Sequence, residues 1–102
     1  MKVYLKIHKN QSAGEIIETV ACCDEHLLNG CFKEGNLKIE ISNYFYGGNL
    51  INLDEAIAVL SQAAYFNIVG ENIINKAIDT NILPKEGVRR INGIPMAIRM
   101  IF

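Results

Sequence analysis

The sequence predicts an α+β fold: a single domain, residues 1–102, with a mostly antiparallel sheet and two consecutive helices packed on one face. Three observations predict it. Val3, Leu5 and Ile7 alternate with Lys2, Tyr4, Lys6 and His8, the period of a half-buried strand. Apolar residues between Leu53 and Ile78 recur at helical spacing. Asn92-Gly93 sits between two apolar-rich runs, the strongest short-range hairpin signal in the chain.

The elements follow in order. After the first strand, Lys9 to Gly14 reads as a polar turn. Glu15 to Cys23 is apolar on both alternating faces and reads as a second, more central strand, with a helix as the alternative. Asp24 is placed to cap a single helical turn over Glu25 to Leu28, which Asn29-Gly30 ends through left-handed geometry. Cys31 to Lys33 is a short strand, and Glu34-Gly35-Asn36 turns it into Leu37 to Ile41, where apolar and charged residues alternate. Asn52 with Glu55 has the spacing of a capping box, and Leu53, Ile57, Leu60 and Ala64 mark a helix to about Phe66. Gly70 breaks or bends it, and Ile73, Ile74, Ala77 and Ile78 mark a second helix ending near Asn81, before Leu83-Pro84. Gly87 to Ile91 and Ile94 to Ile101 are the strands of the final hairpin, with Pro95 placing the last one near an edge.

Composition narrows the function classes. The 102 residues are 50% hydrophobic, enough to form one core without staples. Ten Lys and Arg against eleven Asp and Glu argue against non-specific nucleic-acid binding, which needs a clear basic excess, but leave room for a local basic face. The alternating N-terminus is a strand rather than a signal peptide, and no apolar run is long enough to span a membrane. Three cysteines without a secretory signal point to reduced thiols in the cytoplasm.

Four motifs occur in order along the chain: Cys23-Asp24-Glu25 followed by Leu27-Leu28, Phe45-Tyr46-Gly47-Gly48, Asn67-Ile68-Val69-Gly70-Glu71, and Gly93-Ile94-Pro95. Together they resemble the archaeal domain-of-unknown-function 424 family, whose members are small, stand-alone, uncharacterised proteins. The resemblance spans nearly the whole chain. The family's archaeal restriction implies a role in information processing, in translation or RNA handling. Two positions depart from the pattern that the resemblance implies. Asn29 stands where a Gly is expected, and its tolerance of left-handed geometry preserves the turn. Met96 stands where a His is expected, which removes a C-terminal imidazole from any chemistry.

No residue set carries a catalytic signature. Cys22, Cys23, His26 and Cys31 are metal-ligand types, but a strand points Cys22 and Cys23 to opposite faces, and buried small hydrophobes are the commoner reading. Asp24, Glu25 and Glu71 are the carboxylates of an acidic-site enzyme, set against plain roles as helix caps and first-turn acids. No phosphate-cradling Gly motif is present, so the sequence makes no case for a nucleotide site, and no cofactor is expected.

Binding candidates are stronger. Tyr46, Gly47, Gly48, Asn67, Gly70 and Glu71 form a candidate ligand or partner site, weighed against turn formation, capping of the helix junction, and packing of Phe45 or Tyr46 under the helices. Lys2, Tyr4, Lys6 and His8 form a basic strand face with one aromatic, which Arg89 and Arg90 extend if the last hairpin pairs nearby. Met96, Ile98, Met100, Ile101 and Phe102 make an apolar ending that is either buried or docks on a partner, including a second copy in a homodimer. The sequence therefore reads first as a non-enzymatic adaptor in a protein or ribonucleoprotein assembly. A direct RNA binder and a small enzyme are the alternatives.

Overall fold

The computed structural model describes residues 1–100. Two long strands, β1 (Lys2–Ser12) and β2 (Glu15–Asp24), form the first hairpin. Its two-residue turn, Ala13-Gly14, has φ of 51° and 80°, the left-handed pair whose twist matches that of the strands. Lys9 to Ser12 therefore belong to β1 rather than to a turn. They pair with Glu15–Glu18 in a ribbon that projects past the rest of the sheet, where backbone pairing needs no apolar side chains.

After a 3₁₀ turn at Glu25–Leu27 come β3 (Cys31–Glu34) and β4 (Leu37–Glu40), then α1 (Asn43–Tyr46) and β5 (Asn49–Asn52). Ser42 caps α1 by accepting from the Phe45 N–H at 3.1 Å. The second half of the fold is α2 (Leu53–Leu60), β6 (Tyr65–Val69), α3 (Glu71–Asp79), β7 (Arg89–Ile91) and β8 (Ile94–Arg99). The main sheet has six strands in the order β5-β1-β2-β6-β8-β7, and β3-β4 form a separate pair. All pairings are antiparallel except β2 with β6.

The helix expected to run to Phe66 stops at Leu60, and Tyr65–Val69 is instead a strand at the centre of the sheet. The Gln62 and Ala63 N–H groups bond three residues back, to Val59 and Leu60, which tightens and ends the helix. Phe66 and Ile68 then point into the helix-side core, flanked by half-buried Tyr65 and Asn67, a period of two in a segment too short to announce itself. The two main helices are thus separated by a strand. Both still pack on one face, where Ala56, Leu60, Ile73, Ile74 and Ala77 meet Val3, Leu5, Val20, Cys22, Phe66 and Ile68.

The other face carries a second core. Ala21, Cys23 and Val69 project into it, covered by Leu27, Ile39, Ile41 and Tyr46. Tyr46 is the buried ring of the Phe45-Tyr46 pair, and it lies on the face opposite α2 and α3 rather than beneath them. The β3-β4 hairpin is held there partly by Glu34, whose carboxylate accepts from the Asn92 N–H at 2.8 Å. Asn92 and Gly93, at φ 49° and 79°, form the expected turn between β7 and β8. β8 lies one strand in from the edge, with Pro95 buried; the expected extension to Ile101 and the terminal Phe102 lie outside the described residues.

One backbone position ties these layers together. Gly70, at the β6–α3 junction, has φ 124°, a conformation that L side chains rarely adopt, and a Cβ there would collide with the Asp24 carboxyl group. Gly70→Ala should therefore lower stability by on the order of 3 kcal/mol through strain and displacement of Asp24. Urea unfolding of the variant checks this, and a midpoint equal to wild type would show that the junction relaxes freely.

Candidate functional site

Asp24 is the last residue of β2 and the only polar or charged side chain among the buried described residues. It does not cap its own 3₁₀ turn. Its Oδ2 accepts from the Asn72 N–H at 2.8 Å and its Oδ1 from the Ile73 N–H at 3.0 Å. The carboxylate therefore caps α3, whose own preceding residue, Gly70, has no side chain to do so. Burial pushes the Asp24 carboxyl above its ordinary value, against the opposing pull of the Asn72 and Ile73 N–H groups. Glu71 nearby adds to the rise and His26 opposes it.

The other candidate residues surround this junction. The Tyr46 hydroxyl donates to Asn67 Oδ1 at 2.7 Å, so these two sequence-selected residues meet across 21 positions of chain. Burial, followed by the adjacent Cys23 thiol, pushes the Tyr46 hydroxyl up to about 12. Glu71 lies on the surface at the start of α3 and pairs with Arg90, with Nη1 to Oε1 at 2.7 Å. The Arg90 hydrogen bond holds the Glu71 carboxyl below its ordinary value. Asn67 and Glu71 do not close the junction themselves; Asp24, 48 positions from Asn72, does.

Gly47 and Gly48 serve close packing. A Cβ on Gly47 would strike Asn43, and one on Gly48 would strike the Leu5 carbonyl. The paired glycines let the chain pass directly against β1 as it enters β5. Neither has a φ in the left-handed region.

The basic strand face is rearranged by α1. Lys6 Nζ donates to the Tyr44 carbonyl at 2.6 Å and stands 4.9 Å from the Tyr44 ring centroid. The His8 ring stacks on Phe45 at 4.7 Å, with Nε2 2.8 Å from the Phe45 carbonyl. Tyr4 is half-buried against the second core, and Lys2 is exposed. Arg89 and Arg90 do not extend this face: β7 lies four strand positions from β1, roughly 19 Å away at ordinary strand spacing. Sequence reasoning missed the aromatic partners Tyr44 and Phe45, because only folding brings them over β1.

The cysteines separate as the strand period requires. Cys22 enters the helix-side core and Cys23 the opposite one, while Cys31 is exposed. Burial raises the Cys22 thiol well above its ordinary value and pushes Cys23 up to about 12, with the Asp24 charge adding to both. Among the described residues no group of three His, Cys, Asp or Glu is placed to hold a metal. Glu25 is exposed, so Asp24, Glu25 and Glu71 do not converge on one enclosed pocket.

Two outcomes follow from this geometry. Asp24→Asn should cost about 1–2 kcal/mol at neutral pH, because an amide cannot accept at both positions. In the folded protein burial disfavours ionised Asp24, so a protonation-linked increment adds to the capping contribution as pH falls through the raised range and is lost as pH rises through it, while the capping contribution itself remains. The stability gap between wild type and Asp24→Asn should widen on acidification, and a gap independent of pH would contradict the raised carboxyl. A thiol titration at neutral pH should find Cys31 reacting quickly, with Cys22 and Cys23 modified only in denaturant; fast modification of all three would refute the burial assignment.

Comparison with known proteins places this geometry in context. No curated protein matches the chain. A solved structure, described as the crystal structure of an uncharacterized conserved protein from Methanopyrus kandleri, superposes with a TM-score of 0.80 at 23% sequence identity. The match covers 100% of this chain and 97% of that one, so the fold is shared along its length. The model of a family described as "Protein of unknown function (DUF424)" matches residues 12–101, spanning all four motifs from Cys23 to Pro95. The chain therefore belongs to the DUF424 family.

Proposed function

We propose that this protein is a non-enzymatic binding or adaptor module of a protein or ribonucleoprotein assembly. The observation that carries this reading is the exposed apolar surface at the end of β8 and the Met100 that follows it. Ile98 is 55% exposed and Met100 56% exposed, and Leu37 of β4 lines the same groove as Ile98. Three of the candidate polar side chains are meanwhile engaged within the fold. Asp24 uses both oxygens on α3, Glu71 is tied to Arg90, and Tyr46 is bound to Asn67. An acidic-site enzyme would need Asp24 to leave its cap, which would unseat α3.

A second reading, direct RNA binding, is favoured by one specific feature. Tyr44 is 80% exposed, with its ring beside the Lys6 ammonium and the His8–Phe45 stack next to it. An open ring beside a cation suits base stacking with a phosphate contact. Lys2 and Tyr4 continue along β1, whereas Arg89 and Arg90 belong to the opposite edge.

Capture of partners by the tagged protein, with and without nuclease and across a salt series, separates the two. An adaptor retains defined proteins after nuclease treatment, with little loss as salt rises. An RNA binder loses its partners to nuclease, and its affinity falls steeply with salt. Recovery of nothing specific under either condition would rule out the adaptor reading.

A further inference from the structure

The outer edge of β8 is only half covered. β7 pairs with Ile94–Met96, while β8 continues against β6 as far as Arg99. Among the described residues no strand pairs with Ala97–Arg99 on the β7 side. The direction of the backbone groups follows from the ladder. The Gly70 N–H donates to the Pro95 carbonyl at 2.9 Å, so by alternation Ala97 and Arg99 also turn their backbone groups toward β6. Ile98 turns its N–H and C=O the other way, toward the open edge.

A cavity flanks this edge on each face of the sheet. One, of about 360 Å³, lies toward the β3-β4 hairpin and is lined by Leu37, Ile39, Ile91 and Met96. The other, of about 330 Å³, lies toward the helix side and is lined by Phe66, Ile82, Leu83 and Pro84. Ile98 and Gly87 border both. Among the described residues, the charged ones lining the two are Lys38, Arg89 and Arg99, and none of them is acidic. Lys38 also pairs with Glu40 at 3.5 Å, and Arg99 lies 5.8 Å from the Phe66 ring centroid.

We propose that the β8 edge at Ile98 takes up an extended acidic peptide segment of a partner protein as an added strand. An added strand pairs with the outward groups of Ile98, and its successive side chains fall on opposite faces. Apolar residues at its centre then enter the two cavities, and acidic residues at its ends meet Lys38, Arg89 and Arg99. A second copy of this chain fits less well. Two β8 edges paired about a two-fold axis bring the same cations against one another, which opposes association. This proposal rests on the reading of the protein as a binding module and names the class of partner.

The test uses fluorescein-labelled peptides of about seven residues, a strand's usual length. Each has a Leu-Val-Leu centre; one has acidic ends, one has Lys ends, and one has acidic ends and an N-methylated central residue. The acidic peptide should bind saturably, with amide shifts centred on Ile98. Lys ends or N-methylation should weaken it by about tenfold or more. Ile98→Pro, which removes only an outward donor, should abolish binding. If circular dichroism shows that Ile98→Pro is unfolded, Arg89→Glu serves instead and should reverse the preference between acidic and Lys ends. Absence of saturable binding to the folded wild type, indifference to end charge, or shifts centred on β1 would overturn the proposal. Nuclease-resistant partner capture that persists unchanged in folded Ile98→Pro would overturn the site while leaving the module reading intact.

Discussion

The Asp24 carboxylate on the start of α3 is the contact on which the rest of the structure depends. It joins the end of a central strand to a helix 48 positions further along the chain. Gly70, beside it, contributes a conformation that L side chains rarely adopt, and its N–H reaches the Pro95 carbonyl on β8. Three strands and a helix are therefore registered at one buried group. If α3 is misplaced, Ile73, Ile74 and Ala77 no longer close the helix-side core. A buried carboxylate carries a desolvation penalty, but here each oxygen receives a backbone donor that would otherwise be an orphan of the helix terminus.

From that anchor the sheet is covered on both faces by different means. Two helices cover one face; a hairpin, a short helix and the Tyr46 ring cover the other. The adjacent pair Cys22 and Cys23 marks the division, since each feeds a separate core. Covering both faces places Asp24, Tyr46, Cys22 and Cys23 in structural roles and leaves the margins of the sheet open. Those margins differ. The β1–β2 ribbon is mostly polar and carries the Lys6, His8 and Tyr44 group at its root. The β8 side is apolar with a cationic rim.

Much of this was legible in the chain because the signals were local. The period of two in Val3, Leu5 and Ile7, the Asn92-Gly93 turn and the helical spacing of Ile73, Ile74 and Ala77 each depend on near neighbours alone. Tyr46 and Asn67 were singled out and do meet. β6 was hidden because its five residues follow directly on a helical pattern with no Gly or Pro between. Asn52 was identified as the residue before α2, but its side chain bonds to Glu55 rather than to the backbone. The basic face was read as one surface because strand order is not written in strand sequence, and β7 proved to be at the far edge.

The sequence by itself determined the fold class, the faces of β1 and β2, the final hairpin and the family. These follow from backbone sterics and hydrophobic period, which act over a few residues. Only the tertiary structure decided that Asp24 caps α3 instead of its own turn, that Tyr44 and Phe45 stand over Lys6 and His8, and that β7 leaves Ile98 uncovered. Those outcomes depend on which distant segments become neighbours. That choice is made by the joint burial of both sheet faces, and no local stretch of residues encodes it.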